Sequence, residues 1–495
     1  MDARVERVLP STPFGSLADA VHAGAGEGLR AARAMTPAAI VELVGNAGLR
    51  GRGGAGFPAA RKWRAVVAHE PAATPPSVVV NAAEGEPGSF KDRALVRADP
   101  YRVIEGALIA ALAVGADTVV VGVRRSCTRE LTRLEHAVRE VTEAGWLDAD
   151  DLRVQLRVVT GPDEYLFGEE TALLEVIDGR HPFPRLAPPY RRGIDEVGLP
   201  GHALHRESNS AADRELASAS HDTDAPPALA SNAETFANVS GILAHGDGWF
   251  RELGTAESPG TILCTVSGDT NRAAVGEFPF GTPVRVIVDE LGDGLRDGRT
   301  PLGVLSGVAN PFLPGALLDT PATHEDLRAA GSGLGAAGFL VFDDSADPVA
   351  IAAGVAHFLA VESCGQCVPC KRDGLELAAL LRDAAGARAD DRTLGNLRDR
   401  LLTVTDGARC NLATQQQVVL TSLVEQFPAE FAAHVGETTA AAVAPVPIAP
   451  IDDIVDGVAR LDGRQAAKQP DWTFDPVDSG QWPANRLDDP RRAED

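Results

Sequence analysis

Four cysteines in the C-terminal third of the chain form the clearest chemical pattern in the sequence. Cys364, Cys367 and Cys370 are separated by two residues each, and Cys410 follows at a distance. Three thiolates at this spacing can converge on one face of an iron-sulfur cube, and a distant fourth can close it. A zinc site is the alternative, but zinc ligands more often arrive as two separated pairs. The pattern predicts a [4Fe-4S] cluster beside a helix that starts near Arg372.

A second segment, Gly51-Arg-Gly-Gly-Ala-Gly56 followed by Phe57, has the spacing G-x-G-x-x-G. A dinucleotide-binding loop of this kind should follow a strand and open a helix, but this one follows a predicted helix over residues 37–45. Glycines still let backbone N–H groups approach a phosphate or a flat ring closely. The segment therefore indicates a ligand-binding loop, with a flexible surface loop as the alternative.

Two further segments carry acidic residues at positions where an α/β sheet binds ligands. Residues 81–93 directly follow a short apolar strand predicted over residues 78–80, and ligands of open α/β sheets bind at the carboxyl ends of strands. Gly168-Glu-Glu-Thr171 opens a predicted helix. Neighbouring carboxylates at a helix start commonly act as caps, which remains the alternative to a binding role there.

Alternating strands and helices must position these segments. Hydrophobic periodicity predicts strands at residues 78–80, 118–123 and 154–159, and helices at residues 100–114, 128–144 and 169–177. This alternation predicts an α/β domain with a largely parallel sheet. Residues 202–225 lack periodicity and are rich in Ser, Ala and Asp, so they are predicted to be a mobile insertion.

The second half of the chain has a different character. Short strands predicted at residues 261–266 and 284–288 suggest a small β-rich module. Most windows between residues 348 and 435 have helical periodicity, which predicts a C-terminal helical domain. The residues after Glu437 begin with Ala, Val and Pro repeats and are predicted to be disordered.

Composition sets the limits for these assignments. A chain of 495 residues should form two to four domains, and 70 acidic against 46 basic residues argue against a nucleic-acid partner. The sequence shows neither an export signal nor an apolar stretch suited to crossing a membrane, so a cytoplasmic protein is expected. Six cysteines suit a reducing compartment, and Cys127 and Cys264 should simply fill the core. Only four lysines occur, at 62, 91, 371 and 468, which hints at sites that need a compact ammonium group.

Segments 48–58, 81–93, 165–174, 231–235 and 362–370 together resemble the flavin-bearing subunit of NADH-quinone oxidoreductase (respiratory complex I). That family includes diaphorase subunits of NAD-reducing hydrogenases and NAD-dependent formate dehydrogenases. The resemblance implies an α/β fold class with a Rossmann-like FMN-binding domain, a small ubiquitin-like β-grasp module and a helical bundle that carries the cluster. The bounds expected from it are residues 1–245 with the insertion at 202–225, then 246–330, 331–435 and a disordered tail over 436–495.

The resemblance also implies an activity and a binding site. The expected enzyme takes a hydride from NADH onto FMN and passes electrons through the [4Fe-4S] cluster to a partner, either a [2Fe-2S] thioredoxin-like subunit or a ferredoxin, within a larger redox complex. No direct membrane insertion is expected, with peripheral attachment through partner subunits as an option. The residues expected to hold FMN or NAD(H) are Gly51, Arg52, Gly53, Gly54, Gly56, Phe57, Lys62, Asn81, Glu84, Glu86, Gly168, Glu169, Glu170, Tyr190, Asn232 and Thr235. The expected cluster ligands are Cys364, Cys367, Cys370 and Cys410, and no side chain is expected to act as acid or base, because the cofactor carries the hydride chemistry.

The chain departs from the family pattern at several positions in the expected nucleotide site. Ala83 stands where an acidic residue is usual, Ala187 where a lysine is usual, and Ala65 where an aromatic residue is common. These changes favour a second hypothesis, a non-catalytic electron-transfer or assembly subunit with a degenerate nucleotide site. The enzyme hypothesis is preferred because the glycine loop persists together with Glu169 and Glu170.

Overall fold

The computed structural model describes residues 3–69, 74–149, 152–194, 225–296, 298–436 and 440–486. The predicted insertion at 202–225 therefore lies outside the described residues except at Ala225. The N-terminal region begins with four helices, which are α1 Leu17–His22, α2 Glu27–Arg33, α3 Pro37–Ala47 and α4 Ala59–Ala68. The α/β domain then contains β1 Ser77–Asn81, α5 Lys91–Ala98, α6 Pro100–Val114, β2 Thr118–Arg124, α7 Thr128–Glu143, β3 Asp148–Ala149, β4 Leu152–Arg153, β5 Gln155–Gly161, α8 Glu170–Ile177, β6 Ala228–Asn232 and α9 Ala233–Arg251, a helix interrupted at Gly246.

The central sheet of this domain is parallel, with strand order β5-β2-β1-β6. The first four residues of β1 are buried, as a strand covered on both faces should be. The predicted strands and helices of this domain agree with the structure to within two residues at each end. Helix α6 packs against α9 so closely that a Cβ at Gly106 would lie 1.8 Å from the carbonyl oxygen of Phe236.

The β-rich module follows and consists of β7 Thr261–Gly268, β8 Ala274–Pro279, α10 Val284–Gly292, β9 Pro301–Ser306, β10 Leu313–Pro314, α11 His324–Ala329 and β11 Gly338–Asp343. Its five strands form a second sheet with the order β10-β9-β11-β7-β8. The strand predicted over 284–288 is wrong, because Val284, Ile287, Val288 and Leu291 recur at helical spacing and are all buried on one face of α10. Strand β11 pairs with both β7 and β9, so the module continues beyond the expected boundary at residue 330.

The helical domain consists of α12 Pro348–Glu362, α13 Val368–Ala385, α14 Thr393–Thr403, α15 Leu412–Gln426 and α16 Pro428–Ala433. Helix α13 begins at Val368 rather than near Arg372, because Pro369 suits the first turn of a helix. Cys370 consequently lies within the first helical turn and Cys367 at its N-cap.

The chain beyond this domain corrects another prediction. Residues 440–486 are ordered, with a hairpin of β12 Ile451–Val455 and β13 Val458–Leu461, so the predicted disordered tail over 436–495 is wrong there. This segment has no periodic apolar face and is held by single side chains such as the buried Trp472. Composition and periodicity therefore did not reveal that it is ordered. Among the described residues, none of the helices combines the length and the hydrophobicity that a membrane span requires.

Candidate functional site

The glycine loop connects α3 to α4, and its shape depends on glycine. Gly54 and Gly56 have φ angles of +128° and +62°, which residues with a Cβ rarely adopt. A Cβ on Gly56 would lie 2.5 Å from Nε2 of His324, the first residue of α11 in the β-rich module. The next residue, Phe57, is 48% exposed. The loop therefore presents backbone and one aromatic ring, and it rests on the β-rich module.

Arg52 is used inside the protein rather than toward an open site. Its backbone N–H donates to Thr235 Oγ1 at 2.9 Å, and its guanidinium Nε donates to the carbonyl of Thr261 at 3.1 Å. The guanidinium also lies over the ring of Phe280. Burial lowers the pKa of Arg52 to about 10. Two of the expected site residues, Arg52 and Thr235, thus hold the glycine loop against the protein interior.

A buried charged network, not predicted from the sequence as a unit, supports the same loop. Lys91 Nζ lies 2.8 Å from Asp92, 2.8 Å from Glu234 and 3.1 Å from Asn232 Oδ1. Asn232 donates to Asp92 at 2.6 Å, and its Cβ would be 3.3 Å from a Cβ on Gly53. Burial alone would lower the pKa of Lys91, but Asp92 and Glu234 raise it above its ordinary value. The sequence singled out Lys91 by its place in the segment 81–93 and by the rarity of lysine.

The carboxyl end of the central sheet brings several expected residues together. Asn81, the last residue of β1, donates to the carbonyl of Gly168 at 2.8 Å. Lys62 donates to the carbonyl of Ala230 at 2.6 Å and pairs with Glu170. Burial lowers the pKa of Lys62 to about 8. These contacts join α4, β1, β6 and the start of α8 at one edge of the sheet.

Glu169 caps α8, accepting hydrogen bonds from the backbone N–H groups of Thr171 and Ala172 at 3.0 and 2.9 Å. Burial raises the pKa of Glu169, which also acts electrostatically on Cys410. The sequence left open whether this carboxylate caps or binds, and the structure shows the cap.

Glu84 and Glu86 both have protein partners. Glu84 accepts hydrogen bonds from the backbone of residues 92 and 93 and from a serine hydroxyl, which folds the segment after β1. Glu86 accepts from the Tyr165 hydroxyl at 2.5 Å and from the Val308 N–H at 2.6 Å. Burial raises the pKa of both carboxyls. Glu86 therefore links the α/β domain to the β-rich module.

Ala83 and Ala65, two of the positions that depart from the family pattern, and the expected site residue Tyr190 all have protein contacts. Ala83 is buried, and its N–H donates to Asn81 Oδ1 at 3.2 Å. The carbonyl of Ala65 faces Nδ1 of His69 at 2.7 Å. Tyr190 packs on the His69 ring, with a centroid separation of 5.1 Å, beyond the end of α4. Tyr190 and Ala65 thus lie at the same end of this helix.

The four candidate ligand cysteines line one small cavity. Its wall consists of Leu166, Ser363, Cys364, Gln366, Cys367, Cys370, Arg409, Cys410 and Leu412. Burial raises the pKa of the Cys364 thiol to about 12 and also raises that of Cys410. A cluster that binds thiolates must therefore displace protons here. Cys127 and Cys264, by contrast, are buried in the core, as predicted.

Within the described residues, no three or more His, Cys, Asp or Glu side chains are arranged to hold a single metal ion. Such an ion draws all of its ligands within about 2.3 Å of one point, whereas each thiolate around a cubane binds its own iron. Four cysteines on one cavity are the donor set that such a cluster requires.

The loop that carries Cys364 is held by two buried charged residues. Lys371 donates from Nζ to the carbonyls of Ala360 and Ser363, each at 2.9 Å, and so caps the end of α12. Glu362 accepts from the Tyr165 N–H at 3.0 Å. Burial lowers the pKa of Lys371 to about 8. Lys371, like Lys91, is a buried supporting residue, and the lysine distribution was the sequence signal for it.

Comparison with known families matches two parts of the chain. Residues 44–241 match the Nuo51 FMN-binding domain. Residues 350–434 match the NADH-ubiquinone oxidoreductase-F iron-sulfur binding region. The first match contains the glycine loop and the sheet edge, and the second contains all four candidate ligand cysteines.

Relatives that match most of the chain belong to the same kind of enzyme subunit. An NADH-quinone oxidoreductase subunit of Rhizobium meliloti is 36% identical over 423 residues, covering 83% of this chain and 93% of the relative. An NADP-reducing hydrogenase subunit of Solidesulfovibrio fructosivorans is 31% identical, covering 83% and 79%. The crystal structure of an NAD+-reducing [NiFe]-hydrogenase superposes with a TM-score of 0.71 at 30% identity, covering 86% of this chain and 67% of that one. The chain belongs to the NADH-quinone oxidoreductase-F family of FMN-dependent, iron-sulfur-containing NADH dehydrogenases.

Proposed function

We propose that this chain oxidises NADH at the carboxyl edge of the central sheet and passes the electrons to a [4Fe-4S] cluster in the cysteine cavity. FMN, when bound, accepts two electrons as a hydride and can release them singly to a one-electron acceptor. The chain's own part is to bind, orient and shield. The glycine loop provides a place for FMN, and the four-cysteine cavity provides the ligands for the cluster.

One observation carries this proposal, because it connects the two sites. The short segment Tyr165–Gly168 belongs to both of them. Leu166 lines the cysteine cavity, and two residues later the carbonyl of Gly168 accepts a hydrogen bond from Asn81 at the sheet edge. A cofactor at that edge would thus stand one short segment away from the cysteines, which favours electron transfer between the two sites.

We assign roles to the sheet-edge residues on this basis. The N–H groups of the glycine loop would approach the dinucleotide or the flavin ring, with Phe57 offering an aromatic surface. Lys62 supplies the positive charge at the edge and is held there by Ala230 and Glu170. Glu86, engaged by Tyr165, would shape the donor side rather than take part in chemistry. Cys364, Cys367, Cys370 and Cys410 would bind the cluster.

The partner and the location follow from the same arrangement. The relatives are named as subunits of quinone-reducing and hydrogenase enzymes, so a larger redox complex receives the electrons. We propose an iron-sulfur protein, either a [2Fe-2S] subunit or a ferredoxin, as the immediate partner. Cys367 and Cys410 are only partly buried, which makes their side of the cavity the accessible one. Attachment to a membrane would then be indirect, through partner subunits on the cytoplasmic side.

A second candidate function, electron transfer without NADH oxidation, is favoured by Ala83. This residue is enclosed in the core beside Asn81, so no carboxylate from that position reaches the sheet edge. Weak flavin retention would follow from the missing polar contact.

Absorption spectra of anaerobically purified protein distinguish the two functions. The enzyme should show flavin and iron-sulfur bands, and NADH should bleach both. A spectrum with iron-sulfur bands alone, unchanged by NADH but bleached by dithionite, would support the second function. Flavin that responds to NADPH and not to NADH would overturn the donor assignment and leave the cofactor assignment intact.

A further inference from the structure

The C-terminal segment over residues 463–486, which we call the cap segment, lies directly on the loop of the first candidate cluster ligand. The N–H of Ala484 donates to the carbonyl of Cys364 at 2.9 Å. Trp482 packs on Gly365, where an added Cβ would lie 2.6 Å from the tryptophan Cβ. Gly365 also has a φ of +83°. The loop between Cys364 and Cys367 therefore has the shape that receives the cap segment.

Two anchors fix the cap segment to the end of α12, immediately before Cys364. Lys468 Nζ lies 2.8 and 2.9 Å from the two carboxylate oxygens of Glu362, and both side chains are buried. The indole N–H of Trp472 donates to the carbonyl of Val361 at 3.0 Å. A buried ion pair with additional hydrogen bonds is costly to break on one side only. The fourth lysine of the chain thus has a site comparable to those of Lys91 and Lys371.

The cap segment also has an internal fold of its own. Asp471 and Arg486 form an ion pair that is at most 1% exposed. Asp471 accepts further hydrogen bonds from the N–H and hydroxyl of Thr473 and from the N–H of Ser479. This pair closes the stretch between residues 471 and 486 into a loop and presents Trp482 and Ala484 to the cysteine loop.

The cap segment covers one side of the cysteine cavity. Cys364 beneath the cap segment and Cys370 in the first turn of α13 are each 7% exposed, whereas Cys367 is only partly buried and Val368 beside it is 49% exposed. Both matches to the family models end before the cap segment begins, at residues 241 and 434. The covering of Cys364 is therefore added by a part of the chain outside those family models.

We propose that the cap segment is a built-in part of the protein shell of the cluster: it positions Cys364, keeps water from that side and leaves the side of Cys367 as the route to a partner. This inference rests on the proposed cluster in the cysteine cavity. Reduction adds a negative charge to the cluster, and water stabilises that charge, so shielding lowers the reduction potential. Loss of the cap should raise the potential and admit small solutes.

The test uses the full chain with single substitutions at two independent contacts. Trp482→Ala removes the indole ring, whose Cγ and Cε3 lie 3.2 and 3.5 Å from a Cβ built on Gly365, and Lys468→Met removes the ion pair with Glu362. Val477→Ala is the matched control, since this side chain lies in the same segment but is 73% exposed. Two quantities are measured anaerobically: the rate at which a water-soluble ferrous-iron chelator removes iron, and the midpoint potential of the cluster in a redox titration.

We expect iron release to be about tenfold faster in Trp482→Ala and Lys468→Met, which corresponds to a local opening whose free energy is lower by about 1.4 kcal/mol. We also expect the midpoint potential of the cluster to be more positive in both variants. Trp482→Phe should restore most of the protection, and Val477→Ala should match the unsubstituted protein. Equal release rates and potentials in all variants would overturn the role of the cap. An unsubstituted protein without iron would instead overturn the cluster assignment. If Lys468→Met does not purify with a cluster, Trp482→Ala decides the question.

Discussion

Replacing Gly56 by alanine tests whether the glycine loop is seated against the β-rich module. The new methyl group would lie 2.5 to 2.7 Å from three ring atoms of His324, and the residue would keep a φ of +62°. The backbone conformation alone costs about 1 to 2 kcal/mol for a residue with a Cβ. Crowding the buried histidine ring adds about 1 to 3 kcal/mol. We therefore expect Gly56→Ala to lower the free energy of unfolding by about 2 to 5 kcal/mol.

The assay is urea unfolding at neutral pH, with bound flavin per chain measured on the same samples. Gly145→Ala is the matched control, because Gly145 has a φ of +73° but no atom within 4 Å of an added Cβ. It should lose only the backbone part, about 1 to 2 kcal/mol, and keep its flavin. In the double variant, His324→Ala should recover the steric part of the Gly56→Ala loss. Equal losses in Gly56→Ala and Gly145→Ala would refute the contact between the loop and His324.

Three further predictions concern the titratable side chains of Lys91, His324 and Lys62. Lys91→Met leaves two buried carboxylates without their ammonium partner, so the free energy of unfolding in urea should fall by about 3 to 5 kcal/mol. Adding Glu234→Gln should recover part of this loss. An unchanged urea midpoint in Lys91→Met would contradict the charged network. Burial, together with nearby arginines, lowers the pKa of His324 from 6.5 to about 3. Between about pH 3 and pH 6.5 the imidazole is therefore protonated in the unfolded chain but not in the folded protein. Stability should then fall below pH 6.5, by about 2 kcal/mol at pH 5, and His324→Leu should remove that part of the dependence in unfolding curves recorded at each pH. Lys62→Gln should weaken FMN binding about tenfold in a fluorescence titration, as loss of one charge-assisted hydrogen bond would, while Lys62→Arg retains more affinity; equal affinities would exclude Lys62 from the flavin site.

Local patterns predicted the α/β domain well. Its strands are short, apolar and flanked by turns, and its helices have clear caps, such as Asp99 with Pro100 at the start of α6. β-Propensity misled at Val284–Gly292, where β-branched residues favoured a strand although their spacing fitted the helix that forms. The spacing of the four cysteines was sufficient to predict them as cluster ligands, and the structure places all four on one cavity.

Contacts between distant segments could not be read from the sequence. Glu86 looked like a ligand-facing carboxylate, yet Tyr165 and Val308 engage it from two other parts of the chain. The segment after residue 440 looked disordered because its contacts are a few individual side chains, such as Lys468 and Trp472, without periodicity. Lysine scarcity was the usable signal, since the ammonium groups of Lys91, Lys371 and Lys468 are all buried.

Electrons from NADH should reach a cluster bound by Cys364, Cys367, Cys370 and Cys410. Electron paramagnetic resonance of the anaerobically purified protein, frozen after NADH addition, detects the reduced cluster. We expect a signal from a reduced [4Fe-4S] cluster in the native chain and its loss in Cys410→Ala, which has no donor atom at this position. A signal that dithionite produces and NADH does not, or a signal that persists in Cys410→Ala, would contradict this expectation.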